Sequence, residues 1–184
     1  NIKKYYNVLK SLIKGCLLLQ KNNCKLIVMP CNTAHYWYDD LQKKIKIPIL
    51  SMPKEVYLHT KKNCQKNSKI GILCTEATLK VQVYNKYFDK NYKLVSPGKS
   101  LQKLNVNKAI KYVKMGKIKL AEKAIKPAVN ELIKMKCKKI ILGCTELPIA
   151  IFAYKSFKKI KKSKVFIDPN LLLANVSMKK YRKN

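Results

Sequence analysis

A chain of 184 residues, 47% of them hydrophobic, is long enough for one core or two small ones. No apolar run approaches the roughly eighteen residues that a membrane-crossing helix needs, so no membrane role is expected. The formal charge of +32 is almost all lysine, with Arg182 the only arginine. Specific nucleic-acid readers favour arginine for bidentate contacts, so these scattered lysines read as compositional drift that attracts polyanions only non-specifically.

Taken in order, residues 5–21 carry Tyr6, Leu9, Leu12, Ile13 and Leu17 at helical spacing, and Asn22-Asn23 ends that helix. Residues 26–29 are a strand, too uniformly apolar for an edge and expected to be buried on both faces. Asn32 or Thr33 caps a helix running through Trp37 and Leu41 to about Lys44. Residues 47–50 are the next strand, and Pro53 suits the first turn of a helix that fades near Asn63. Residues 70–73 form a strand ending at Cys74-Thr75, and a helix with Leu79, Val83, Tyr84 and Tyr87 follows. Residues 94–96 are a short strand closed by Pro97-Gly98. Helices over 106–115 and 118–135 are separated by Gly116, and Pro127 should kink or split the second. Residues 140–142 and 165–167 are the last strands, and residues 171–180 a final helix before a basic tail. Strands alternating with helices predict an α/β fold with parallel sheets.

Seven cysteines are present, at 16, 24, 31, 64, 74, 137 and 144, with no Cys-x-x-Cys or Cys/His zinc spacing. No metal is expected, and free thiols fit a cytoplasmic protein. Five of the seven read as small hydrophobes. Cys31 and Cys144 differ, because each ends an apolar run and has a threonine close behind: Met29-Pro30-Cys31-Asn32-Thr33-Ala34-His35 and Leu142-Gly143-Cys144-Thr145-Glu146-Leu147-Pro148. In open α/β sheets ligands bind at the carboxyl ends of strands. A single cysteine there is usually a packing residue; two in matched motifs point to chemistry.

The two motifs resemble the paired cysteine motifs of the aspartate/glutamate racemase family, most of all its aspartate racemase branch. Glutamate racemases typically have serine where His35 stands and Thr-His-Tyr where Thr145-Glu146-Leu147 stands. Ile47-Pro48-Ile49-Leu50-Ser51-Met52, Ile167-Asp168-Pro169, and Thr75, Thr78 and Tyr84 after a strand also fit the family. The resemblance implies two Rossmann-like parallel-sheet lobes related by a pseudo-twofold axis. The first would hold residues 1–50 plus 158–184, including the last strand and helix; the second would hold 51–157. In that family a strand with a Gly-Gly-Met-Gly-Pro-like loop and a further segment precede the helix at which this chain begins. The first lobe is therefore expected to be incomplete and N-terminally truncated.

Racemisation removes the Cα proton from one face of an amino acid and returns one to the other. Two opposed thiols can do this near neutrality without a cofactor, and no lysine–pyridoxal motif is apparent. Cys31 and Cys144 are the candidate catalytic pair, with thiol pKa values lowered by the helix starts that follow. Asn32, Thr33, Thr75 and Thr145 are candidate donors to the substrate carboxylates. His35 is expected to polarise or orient the site, and Glu146 to meet the substrate ammonium or a neighbouring side chain; His59 and Trp37 read as structural. The expected activity is interconversion of L- and D-aspartate or a similar amino acid, with the small-molecule substrate as partner and a homodimer left open. A hydantoin racemase and a non-catalytic remnant that binds small anions are the alternatives.

Overall fold

The computed structural model describes residues 2–88, 91–153, 157 and 164–182. All strand pairings are parallel, and they form two sheets. In the smaller, β1 (Ile27–Val28) pairs with β2 (Ile49–Leu50). The larger has the order β4 (Tyr92–Val95), β3 (Ser68–Cys74), β5 (Lys139–Gly143), β6 (Phe166–Ile167). The α/β architecture matches the expectation from alternation.

The larger sheet is covered on both faces, as the continuous apolar runs of its strands require. Leu73, Ile140 and Leu142 pack on one side against Ala121, Ile125, Val129 and Leu132 of α7 (Ile118–Lys134) and Ala109 and Ile110 of α6 (Asn107–Lys114). Ile70, Ile72, Cys74 and Ile141 face the other way, against Val56 of α3 (Met52–Asn63) and Tyr84 and Phe88. The division follows the period of two along each strand. Truncating such a fully buried leucine or isoleucine typically costs ~2–5 kcal/mol.

The smaller sheet rests on α1 (Ile2–Lys21) and α2 (Tyr38–Lys44), with Leu9, Cys16, Ile27, Leu41, Ile45 and Ile49 forming its core. α1 stops where the Asn22 side chain donates to the Leu18 carbonyl (2.8 Å) and Asn23 turns left-handed (φ 59). β1 is not buried on both faces: Ile27 is, but Val28 is 38% exposed. Among the described residues no strand lies along the other edge of β1.

Five further expectations need correction. The last strand does not join the smaller sheet. β6 pairs with β5 (Ile140 with Phe166, Ile141 with Ile167), because both its faces find apolar partners there. Ile167 joins the cluster around Tyr84, and Phe166 packs edge-on against Phe152 and Phe157. The lobe boundary expected at 157/158 abuts residues 158–163, which lie outside the described residues, as do Lys183 and Asn184 of the basic tail. The final helix, α9 (Pro169–Tyr181), spans both sheets: Leu173 is buried with Leu50 and Met52, while Leu172 packs on the Tyr84 side. Its start is capped by Asp168, which accepts from the Asn170 and Leu171 N–H groups (2.9 and 3.2 Å).

The helix after Thr75, α4 (Glu76–Lys80), is shorter than its apolar spacing predicts, since Gln82 takes a left-handed φ of 51 and the chain continues in turns through Tyr84 to Tyr87. The helix ahead of Gly116 begins early, with α5 (Lys99–Leu101) and a π-helical turn over Gln102–Val106 leading into α6. Finally, α7 runs unbroken through Pro127. That residue lies on the exposed face, where water can serve the carbonyl deprived of a partner. No helix among the described residues is long and apolar enough to cross a membrane. α8 (Leu147–Phe152) follows β5 after the three residues Cys144-Thr145-Glu146.

Candidate active site

Both cysteine loops leave the carboxyl end of a strand. After β1, Pro30 sits at the centre of a three-residue turn in which the Cys31 N–H donates to the Met29 carbonyl (2.8 Å), a conformation that proline's fixed φ suits. The chain then enters a short 3-10 helix, Thr33–Trp37. After β5, Cys144 follows Gly143, where glycine is required by close approach. A Cβ at Gly143 would lie 2.9 Å from the Cys74 Cβ and 3.3 Å from the Leu73 carbonyl of β3. Larger residues there would push β5 away from β3 and displace the cysteine that follows.

Threonine hydroxyls join the two sheets at this end. Thr33 Oγ1 lies 2.6 Å from Thr78 Oγ1 and 3.5 Å from Thr75 Oγ1, and Thr75 and Thr78 are 2.9 Å apart. Thr75 also caps α4, accepting from the Thr78 N–H (3.1 Å). Cys31 is two residues from Thr33. Thr75 follows Cys74, whose register partner is Gly143, immediately before Cys144. The hydroxyl cluster thus sits between the two cysteine loops. Each hydroxyl in it is occupied by another, so a ligand carboxylate would have to break into the cluster to be bound by Thr33 or Thr75.

The second loop is built around a carboxylate. The Cys144 thiol donates to Glu146 Oε2 (2.9 Å), as does the Thr145 hydroxyl (2.9 Å), and Lys114 Nζ lies 3.5 Å from Glu146 Oε1. Of the two readings for Glu146, this is the neighbouring side chain. Burial pushes the Glu146 carboxyl up, but the bonds from Cys144 and Thr145 and the Lys114 charge outweigh it, and its pKa is lowered. The expectation of a lowered thiol pKa is reversed at Cys144. Burial first, then the hydrogen bond and negative charge of Glu146, push it up to about 12. Cys144 is therefore held as a thiol, whereas Cys31 is exposed to solvent.

Of the two roles expected of His35, polarising or orienting, its contacts fit the second. It is only 6% exposed, and both ring nitrogens are taken by backbone. Nδ1–H donates to the Cys31 carbonyl (2.8 Å), and Nε2 accepts from the Met52 N–H (3.0 Å). This fixes a neutral ring in a single tautomer, and burial lowers its pKa. His35 pins the Cys31 loop to the start of α3 rather than facing a ligand. Asn32 is also buried: its Oδ1 accepts from the Tyr84 hydroxyl, and its Nδ2 has no partner.

Three supporting residues were not among the expected site residues. Thr78 was visible only as part of the Thr-x-x-Thr pattern. Lys114 had no signal, being one lysine among many. Gln102 is placed by the π-helical turn, and its side chain donates to the Cys74 carbonyl (2.9 Å) and to Asn107 (3.0 Å) behind the Thr75 loop. No group of three His, Cys, Asp or Glu side chains suited to a metal occurs among the described residues.

The Asp/Glu/hydantoin racemase family profile matches residues 3–176. The chain belongs to this family. Among its curated members, the chain is 29% identical to the broad specificity amino-acid racemase RacX of Bacillus subtilis (strain 168) over 138 residues, which are 75% of this chain and 59% of the relative. It is 25% identical to a glutamate racemase of Carboxydothermus hydrogenoformans over 171 residues, 89% of this chain and 59% of that one. The chain thus spans about three-fifths of the length of these relatives. Among solved structures, the aspartate racemase of Picrophilus torridus superposes with a TM-score of 0.76 at 28% identity, covering 94% of this chain and 68% of that one. A glutamate racemase from Francisella tularensis in complex with D-glutamate shares the fold alone, with a TM-score of 0.71 at 19% identity over 97% of this chain and 65% of that one. In both loops the cysteine stands just past a strand end and is braced by hydrogen bonds.

Proposed function

We propose that the chain carries the two proton-transfer groups of a cofactor-independent amino-acid racemase acting on aspartate or a similar amino acid. The observation that carries this reading is the Thr33–Thr75–Thr78 cluster, which ties the Cys31 loop to the sheet end that bears Cys144. In one direction the Cys31 thiolate takes the Cα proton. The electron pair left on Cα takes the Cys144 proton on the opposite face, leaving a Cys31 thiol and a Cys144 thiolate. The reverse direction starts from that state: the Cys144 thiolate takes the Cα proton and the Cys31 thiol gives its own to the opposite face, restoring the Cys144 thiol and its bond to Glu146. Asn32, with its unpartnered Nδ2, binds a substrate carboxylate, and backbone N–H groups stabilise the carbanion. Thr33 and Thr75 join them once the threonine cluster opens, and Thr145 once its hydroxyl leaves Glu146. His35 holds the Cys31 carbonyl and so the loop.

The equilibrium constant of a racemase is one. The opposed states of the thiols therefore show in kcat and KM separately, while kcat/KM is equal for the two enantiomers. The test is incubation of the chain with L-aspartate and with D-aspartate in deuterated water, followed by chiral separation. Both should converge on the racemic mixture with deuterium at Cα, unaffected by chelators or by carbonyl reagents that trap pyridoxal. Recovery of unexchanged starting enantiomer across the acidic amino acids refutes the reading.

A further inference from the structure

We infer that Tyr84 is a positioning residue that sets the orientation of the Asn32 carboxamide and thereby aims its two Nδ2 donors at the substrate carboxylate; this rests on the racemase reading above. Tyr84 lies in the turn segment after α4, on the larger-sheet side, and is fully buried among Val56, Cys74 and Phe88. Its hydroxyl reaches across to Asn32 Oδ1, on the loop that leaves the smaller sheet. Burial raises the pKa of that hydroxyl, with the neighbouring Cys74 and Asp168 acting in the same sense, so it keeps its proton.

A phenol that keeps its proton needs an acceptor when buried. Asn32 Oδ1 is the acceptor the structure provides. Turning the amide over would place Nδ2 against the phenol oxygen, strand the phenol proton, and leave Oδ1 without its donor. The present orientation satisfies both oxygens and leaves only Nδ2 unpartnered, in a side chain that is 3% exposed. A buried amide donor without a partner is uncommon in folded proteins. Asn32 stands between Cys31 and Thr33 in the chain, and in the racemase reading the carboxylate of a bound amino acid is the acceptor that its Nδ2 lacks. Tyr84 acts through Asn32 and does not itself touch the ligand.

The test combines a substitution cycle with a direct view of the amide. Tyr84→Phe removes the hydroxyl and little volume. It is expected to raise KM for L-aspartate about tenfold with kcat changed less than about twofold, the loss of one hydrogen bond's worth of orientation. In an Asn32→Ala background the same change should move KM less than about twofold, whereas a merely structural role for Tyr84 gives the same factor in both backgrounds. In the nitrogen-15-labelled chain, the Asn32 side-chain N–H pair, identified by its disappearance in Asn32→Ala, should be displaced by Tyr84→Phe before any ligand is added. If Tyr84→Phe destabilises the fold, Asn32→Asp serves instead: it keeps the Tyr84 bond, loses the donors, and should abolish L-aspartate binding. An Asn32 N–H pair unmoved by Tyr84→Phe, or equal KM factors in the two backgrounds, overturns the inference. A wild-type chain that neither racemises L-aspartate nor shows movement of that pair on its addition refutes the racemase reading instead, and the response of the ligand-free amide pair to Tyr84→Phe still decides the role of Tyr84.

Discussion

The two cysteine loops read alike in sequence and differ in nearly every physical respect. Cys31 is exposed, on a two-stranded sheet whose first strand leaves Val28 38% open to solvent. Its loop is braced from behind through the backbone by His35 and through a side chain by Tyr84. Cys144 is 9% exposed, on a four-stranded sheet covered on both faces, and its thiol is tied to a carboxylate that holds its proton. Matched position at a strand end thus fixes where a thiol stands, while its surroundings decide its protonation state. The two-base reading proposed above uses such an inequality, since it needs one thiol that gives a proton and one thiolate that accepts one.

Removing each thiol in turn is the largest expected effect. Cys31→Ala and Cys144→Ala should each lower racemisation of aspartate by at least about a thousandfold, in the upper range for loss of a positioned acid or base. Each variant retains one thiol on one wall and should wash deuterium into one enantiomer only, without inversion. The two variants should have opposite preferences, because a fixed thiol reaches only one face of a pinned substrate. Near-normal racemisation by either variant, measured by chiral separation, would return both cysteines to the status of small residues at strand ends.

Glu146→Gln attacks the inequality itself. The neutral amide removes the negative charge that helps hold the Cys144 proton, so the thiol pKa should fall from its raised value. Alkylation of Cys144 by iodoacetamide at pH 8 should become about tenfold faster, while racemisation falls about a hundredfold as Cys144 loses the partner that holds and places its proton. Cys31 alkylation should be unchanged. Equal acceleration at both cysteines would show that the variant has loosened the site rather than altered one thiol.

Much of this was legible in the sequence, and the illegible part has one cause. β3 and β5 could be read from apolar runs alone, because a strand covered on both faces must be apolar throughout. The helix stop at Gly116 could be read because its φ of 70 suits glycine. The cysteine loops could be read through family resemblance. What could not be read depends on partners far away in sequence. β6 is two residues long, and nothing in Phe166-Ile167 says which sheet edge it will join. Lys114 matters only because α6 passes Glu146. The π-helical turn at Gln102–Val106 has no sequence mark, yet it delivers the Gln102 side chain to the Cys74 carbonyl. How His35 orients the site could not be read, because its acceptor role depends on the Met52 N–H, seventeen positions away.

That last contact supplies the smallest expected effect. The folded chain lowers the His35 pKa from its ordinary 6.5, chiefly by burial, and uses the bare Nε2 as an acceptor. Protonation would set an N–H against the Met52 N–H. Below pH 6.5 the unfolded chain binds a proton that the folded chain refuses, so stability falls as pH drops toward the folded pKa. Above 6.5 both states are neutral, and His35 contributes no pH dependence. The slope is at most about 1.4 kcal/mol per pH unit for one group. His59 is also lowered, by burial and then by Lys139 and Lys62, and adds a trend of the same sign. Thermal melts of the wild type and of His35→Asn between pH 7.5 and 5 separate the two, since only the His35 share vanishes in the variant. The variant should melt lower at pH 7.5 and lose less on acidification, and its Cys31 should be alkylated at a changed rate while Cys144 is not. Parallel melting curves across that range would show that the ring is not held neutral by the Cys31 loop, and the contrast between a braced loop and a charge-tied loop would fail on the Cys31 side.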